Sequence, residues 1–125
     1  MNVLLVEDEA NTLDVYSRLL ELDGHVVTAT EDVESASRAI ESSCFDVAVI
    51  DVALGTADGF AVLDLLKRRQ PEARAVLITA YDVPETSLRA AARGADDFLA
   101  KPLSWADLRR ALGRAVRQND RRTAG

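Results

Sequence analysis

Four short apolar runs in this chain each end on side chains that can carry or move charge. Val3 to Val6 runs into Glu7-Asp8, Val47 to Ile50 into Asp51, Ala75 to Ile78 into Thr79, and Phe98 to Ala100 into Lys101. Short continuous runs rich in β-branched residues mark strands buried on both faces of a parallel sheet. Parallel strands bring their carboxyl ends to one edge, where ligands bind in open α/β sheets. Three acids, a hydroxyl and an ammonium therefore converge on one crevice. Singly each has a plain role: Glu7 and Asp8 favour a helix N-terminus, Asp51 forms a turn or caps a helix, Thr79 ends a strand, and Lys101 is a surface charge. Jointly those roles fail, because clustered like charges repel unless a cation or a hydrogen-bonding partner offsets them.

Such a cluster suits magnesium. Oxygen-only donors with spare coordination positions match Mg²⁺, which keeps several waters and is held by one or two carboxylates plus a phosphate. With Mg²⁺ and Lys101 shielding its charge, Asp51 can attack phosphorus as a carboxylate nucleophile and form an aspartyl phosphate. Thr79 can then donate a hydrogen bond to a phosphoryl oxygen.

The elements that must position these residues follow from periodicity. Leu13, Tyr16 and Leu20 mark a first amphipathic helix, stopped at Asp23-Gly24, and His25 to Thr30 reads as a second strand. A helix from about Asp32 turns Val33, Ala36 and Ile40 inward, and Asp58-Gly59 opens another with Phe60, Leu63 and Leu66, closed before Pro71. Asp82 and Pro84 introduce a helix from Glu85 to Arg93, stopped by Gly94. Its inner face is mostly alanine, with Leu88 as its one sizeable anchor, which makes it the least firmly packed helix. Ser104-Trp105-Ala106-Asp107 begins the last helix, with Leu108, Leu112 and Val116 as its buried stripe. Residues 119–125 have no apolar periodicity and read as a short flexible tail after a domain spanning 1–118. Five strands alternating with five helices give a single α/β domain, a parallel sheet covered on both faces.

The 125 residues carry a net charge of −6, unevenly spread. Residues 1–100 hold 8 basic and 19 acidic side chains, residues 101–125 hold 7 and 2. The acidic body should repel nucleic acid and membrane surfaces, while Arg109, Arg110, Arg114 and Arg117 are candidates to meet an acidic partner or a second copy. Cys44, the sole cysteine, excludes an intrachain disulfide, fits a reducing compartment and is expected as a small buried hydrophobe. His25 is expected to be a half-exposed strand residue. No signal peptide or membrane-length apolar run is visible, so the cytoplasm is the expected location.

The set Glu7-Asp8, Asp51, Asp58-Gly59, Thr79, Gly94-Ala95-Asp96-Asp97-Phe98 and Lys101-Pro102 resembles the receiver domain of two-component response regulators over essentially the whole chain. The resemblance implies a flavodoxin-like, doubly wound (βα)5 fold with strand order 2-1-3-4-5. It makes Asp51 the phosphoacceptor, Asp8 a direct Mg²⁺ ligand, Glu7 a supporting acid acting through water, and the backbone carbonyl of Ala53 a further ligand. It pairs Lys101 with the phosphoryl group through a lysine that precedes a cis proline, and makes Thr79 and Phe98 the residues that move on activation. A histidine kinase or histidine phosphotransfer protein would be the donor. The output would leave through the face of the fourth helix, fifth strand and fifth helix, toward a protein partner or a second copy. Ala53 and Tyr81 would set the lifetime of the phosphoryl group, which the domain would itself slowly hydrolyse. One departure stands out: Gly55 replaces the proline often found four residues after the acceptor.

Three rivals are weaker. A flavodoxin-like nucleotide binder needs free amides after strand one, where Glu7-Asp8-Glu9 would repel phosphate. A Mg²⁺-dependent phosphatase of the dehalogenase type needs a second acid two residues beyond its nucleophile, and that position is Ala53. A phosphorylation-independent scaffold of the same fold would not need the acids, acceptor and lysine, all intact here.

Overall fold

The computed structural model describes residues 1–54, 57–80 and 84–124, with side chains described for 1–53, 58–80 and 85–115. The expectations placed on Gly55, Tyr81, Asp82 and the side chains of Val116 and Arg117 lie outside those residues.

Five parallel strands form the sheet: β1 (Asn2–Val6), β2 (Val26–Thr30), β3 (Val47–Asp51), β4 (Arg74–Thr79) and β5 (Asp97–Ala100). Their order is β2-β1-β3-β4-β5, the flavodoxin-like 2-1-3-4-5. Helices α1 (Ala10–Leu22), α2 (Val33–Ser42), α3 (Gly59–Arg69), α4 (Pro84–Ala92) and α5 (Trp105–Ala124) alternate with them. A two-residue antiparallel ladder, Ala53–Leu54 against Ala57–Asp58, sits between β3 and α3.

Side chains alternate across a strand, so the central strands feed two cores. Leu4, Ile50 and Leu77 face α2 and α3 with Ile40, Phe60 and Leu63, whereas Leu5, Val49 and Val76 face α1 and α5 with Leu20, Leu108 and Leu112. Both faces of β3 are buried from Val47 through Asp51, which is why it reads as unbroken apolar sequence ending in one carboxylate.

Helix starts are fixed by side chains that accept orphan amides. Glu9 accepts from Asn11 and Thr12, Asp32 from Ser35, and Asp58 from Phe60. Ser104 Oγ accepts from the amide of Asp107 at 3.3 Å, as its sequence predicts. Gly24 and Gly94, with φ of 89° and 92°, follow α1 and α4 in the left-handed region that favours glycine.

Four expectations are corrected. The second strand begins at Val26, leaving His25 half-buried just before it, 3.2 Å from the amino terminus. Cys44 is exposed, because it sits in the loop between α2 and β3 before the chain enters the sheet. Leu88 does not anchor α4: it is 70% exposed, and among the described side chains of that helix the buried one is Ala90. The backbone of α5 is helical through the segment read as a tail, as far as Ala124. Arg121, Arg122 and Ala124 there are good helix formers, so propensity carries a helix on past its apolar stripe. Among the described residues no helix is long and apolar enough to cross a membrane.

Candidate phosphoacceptor site

Strand register assembles the site. Val6 pairs with both Thr30 and Ile50, Asp51 with Ile78, and Thr79 with Ala100, so the carboxyl ends of all five strands finish level. Glu7 and Asp8 are the next residues after β1, and Lys101 follows β5. The amide of Lys101 donates to the carbonyl of Thr79 at 2.7 Å, tying the lysine backbone to the end of β4. The Lys101-Pro102 peptide is cis, as the resemblance implied.

Lys101 Nζ lies 2.7 Å from Asp51 Oδ2 and 3.2 Å from Glu7 Oε1. Asp51 Oδ1 accepts from the amide of Ala53 at 3.0 Å, and Glu7 Oε2 from the amide of Asp8 at 3.1 Å. Ala53 thus reaches the site through its amide. Glu7 and Asp51 are each 4% exposed while Asp8 is open to solvent, so the cluster has a buried floor and an accessible mouth. Beneath them Leu5, Val6, Tyr16 and Ile78 complete the lining of a cavity of about 10 Å³, room for no more than one water. Thr79 is 1% exposed at the end of β4, and Phe98 is half-buried against the α2–α3 core.

The electrostatics follow from this crowding. Burial, then the hydrogen bond and negative charge of Asp51, push the Glu7 carboxyl up to about 7 against the opposing pull of Lys101. Burial works against the Lys101 ammonium, yet Asp51 and Glu7 outweigh it and raise its pKa above the usual lysine value. One lysine therefore serves two buried carboxylates. One carboxylate oxygen from each of Glu7, Asp8 and Asp51 lies within 4.8 Å of the others, a hard-donor set of the size a divalent cation bridges. A small dication fits that set: it would offset the charge that Lys101 leaves uncompensated, and it can be approached through Asp8.

The remaining arginine expectation changes character. Arg109 pairs with Asp23 at 2.9 Å, Arg114 with Asp97 at 2.9 Å, and Arg110 with Asp107, so each holds an acid of its own chain. Sequence reasoning also missed how Gly59 serves the site. A Cβ built on it would lie 2.1 Å from the Asp51 carbonyl oxygen, so only glycine lets the start of α3 close over the turn after Asp51. Glu9, read with the acid run, is spent as the cap of α1; its signal was Thr12 three residues on.

Comparison with known proteins places these features in a group. A family model described as the response regulator receiver domain matches residues 3–113. The cyclic di-GMP phosphodiesterase of Thermotoga maritima is 35% identical over 94% of the chain and 31% of its own length. The photosynthetic apparatus regulatory protein RegA of Rhodobacter capsulatus is 33% identical over 89% of the chain and 60% of its own. The chain thus spans less than two thirds of either relative. A crystal structure of a response regulator protein from Burkholderia pseudomallei superposes with a TM-score of 0.85 at 27% identity, covering 97% of this chain and 72% of that one. That protein carries a phosphorylated aspartic acid, a calcium ion and citrate.

Proposed function

Because the chain belongs to the response regulator receiver domain family, we propose that it is a phosphorylation-activated switch of a two-component system, taking a phosphoryl group onto Asp51. The donor is a histidine kinase or a histidine phosphotransfer protein, and Mg²⁺ is the cofactor. The observation that carries this reading is the buried Asp51 carboxylate, held at 2.7 Å by Lys101 and within 4.8 Å of two further acids.

A carboxylate oxygen of Asp51 forms the bond to phosphorus as the donor's nitrogen–phosphorus bond breaks, and the electron pair leaves with the donor imidazole. Mg²⁺, when bound by Asp8, Asp51, the Ala53 carbonyl and, through water, Glu7, supplies charge neutralisation for the transferring phosphoryl group. Lys101 moves its ammonium from the Asp51 carboxylate to the incoming phosphoryl oxygens, where a preorganised cation stabilises the charge that develops. Thr79 donates its hydroxyl to the phosphoryl group, and Phe98 turns inward beside it.

Phosphorylation adds charge and acceptor oxygens at the sheet mouth, so the face of α4, β5 and α5 repacks and controls a protein partner or a second copy. Nucleic acid and membrane are not direct ligands. Ala53 and Tyr81 set how fast water removes the phosphoryl group.

The test is incubation with a small acyl phosphate followed by mapping of the adduct. Label on Asp51 that disappears in Asp51→Asn and in chelator supports the reading. Label elsewhere, or undiminished label in either control, overturns it.

A further inference from the structure

The helix α4 lies on the sheet with almost nothing apolar to hold it. Among its described side chains Ala90 alone is buried, and Leu88 points into solvent. What touches α3 instead is charge. Arg89 reaches the Asp58 carboxylate at 3.3 Å and stands 4.3 Å above the Phe60 ring. Arg93, one turn on and just past the helix end, reaches Asp64 at 2.9 Å and stands 5.2 Å from the same ring. Phe60 is 2% exposed, so the two guanidinium groups roof an aromatic face otherwise sealed in the core. A cation over a ring is attracted by its quadrupole, more so where water is excluded.

This grip reaches the acceptor. Asp58 uses its second oxygen to cap α3, taking the Phe60 amide at 2.8 Å. The next residue, Gly59, donates to the Val52 carbonyl at 2.8 Å and leaves no room for a Cβ beside the carbonyl of Asp51. Arg89 therefore connects, through one carboxylate and one helix cap, with the peptide that carries the acceptor.

We propose that Arg89 and Arg93 form an electrostatic clamp on Phe60 that holds α4 in its resting position and ties it to the Asp51 turn through Asp58. Both are positioning residues. Displacing α4 breaks two ion pairs and lifts two cations off one ring, so the clamp opposes the repacking that phosphorylation drives. The grip itself is independent of the phosphoacceptor reading; its link to the acceptor rests on that reading.

Amide hydrogen exchange in the unphosphorylated full chain tests the grip, with Arg89→Gln/Arg93→Gln as the main variant. The amides of α4 should exchange roughly tenfold faster in that variant while β1 and β3 keep their protection. Raising salt to about 1 M should accelerate α4 in the natural sequence, because exposed ion pairs are screened, and leave the variant unchanged. The exchanged pair Asp64→Arg/Arg93→Asp should restore much of the protection that Arg93→Asp alone removes. Unchanged α4 exchange, equal acceleration throughout the sheet, or no rescue by the exchanged pair would overturn the clamp. For the link, labelling of Asp51 by a small acyl phosphate should be severalfold faster in the double variant, and an unaltered rate would overturn it. Absence of label in the natural sequence would instead defeat the phosphoacceptor reading and leave the exchange result to decide the clamp.

Discussion

Replacing Glu7 by glutamine should stabilise the metal-free protein, by an amount that grows with pH. The Glu7 carboxyl titrates near 7 in the folded state against an ordinary 4.5, chiefly because it is buried and faces Asp51. Between those values the folded protein holds a proton that the unfolded chain has released. Stability must therefore fall as pH rises through that window. Below it both states are protonated and Glu7 contributes no slope; above it both are ionised and the cost is complete. At about 1.4 kcal/mol per pH unit, the interval corresponds to up to roughly 3 kcal/mol. Lys101, raised above its usual value, stays charged throughout and adds nothing to the slope. The amide of Glu7→Gln keeps the neutral, hydrogen-bonding form at every pH. Urea denaturation of both proteins in chelator, from about pH 4 to about pH 8, reads the difference directly. The variant should gain on the natural sequence across the window. A difference that stays flat, or shrinks as pH rises, would refute the assignment of the buried charge to Glu7. Adding Mg²⁺ at neutral pH should narrow the gap, since the dication favours the ionised acid.

Three further outcomes follow from single contacts. Gly59→Ala should cost several kcal/mol in urea denaturation and slow Asp51 labelling, because its Cβ meets the Asp51 carbonyl at 2.1 Å, whereas Gly24→Ala, with nothing within 4 Å, should cost only about 1 kcal/mol from its positive φ. Gln70→Ala should destabilise by about 1–3 kcal/mol, since its amide accepts from Phe45 and donates to the carbonyls of Ile40 and Ser43, knitting the α2–β3 and α3–β4 loops together. Leu88→Ser should leave stability within about 0.5 kcal/mol of the natural value, as its exposure dictates, and a loss above 2 kcal/mol would mean that α4 packs differently.

The sheet and its chemical edge were legible because their signals are one-dimensional. A strand buried on both faces must be apolar throughout, so its first polar residue marks its end, and level ends follow from parallel pairing. That logic placed Glu7, Asp51, Thr79 and Lys101 at one edge. Strand order could not be read that way and came from resemblance alone. What failed was inference from residue type to burial. Leu88 and Cys44 are apolar in character, but their exposure depends on which way a short helix or loop faces, and no periodicity fixes that in nine residues or four. Arg109 and Arg114 looked available because their partners, Asp23 and Asp97, are distant in sequence. The closeness of Gly59 to Asp51 was hidden for the same reason: a turn of eight residues can open or close, and spacing does not say which.

The acids at the start of β5 give that strand an unequal pair of ends. Asp96 takes both the Lys67 ammonium at 3.0 Å and the Ala75 amide at 2.8 Å, while Asp97 is gripped by Arg74 at 3.0 Å and by Arg114 at 2.9 Å. Those partners belong to α3, β4 and α5, so the amino end of the strand is bolted from three directions. Its other end, about 10 Å away at the usual rise per residue, carries Lys101 and borders Asp51. The strand is thus tied at both ends, by the acids at its amino end and at Lys101 by the backbone bond to Thr79 and the ion pairs with Asp51 and Glu7. Phe98 and Leu99 sit between those two anchors, one packed on each of the two cores. Among the described residues β5 has no neighbour on its outer edge, so one ladder, that with β4, holds it in the sheet.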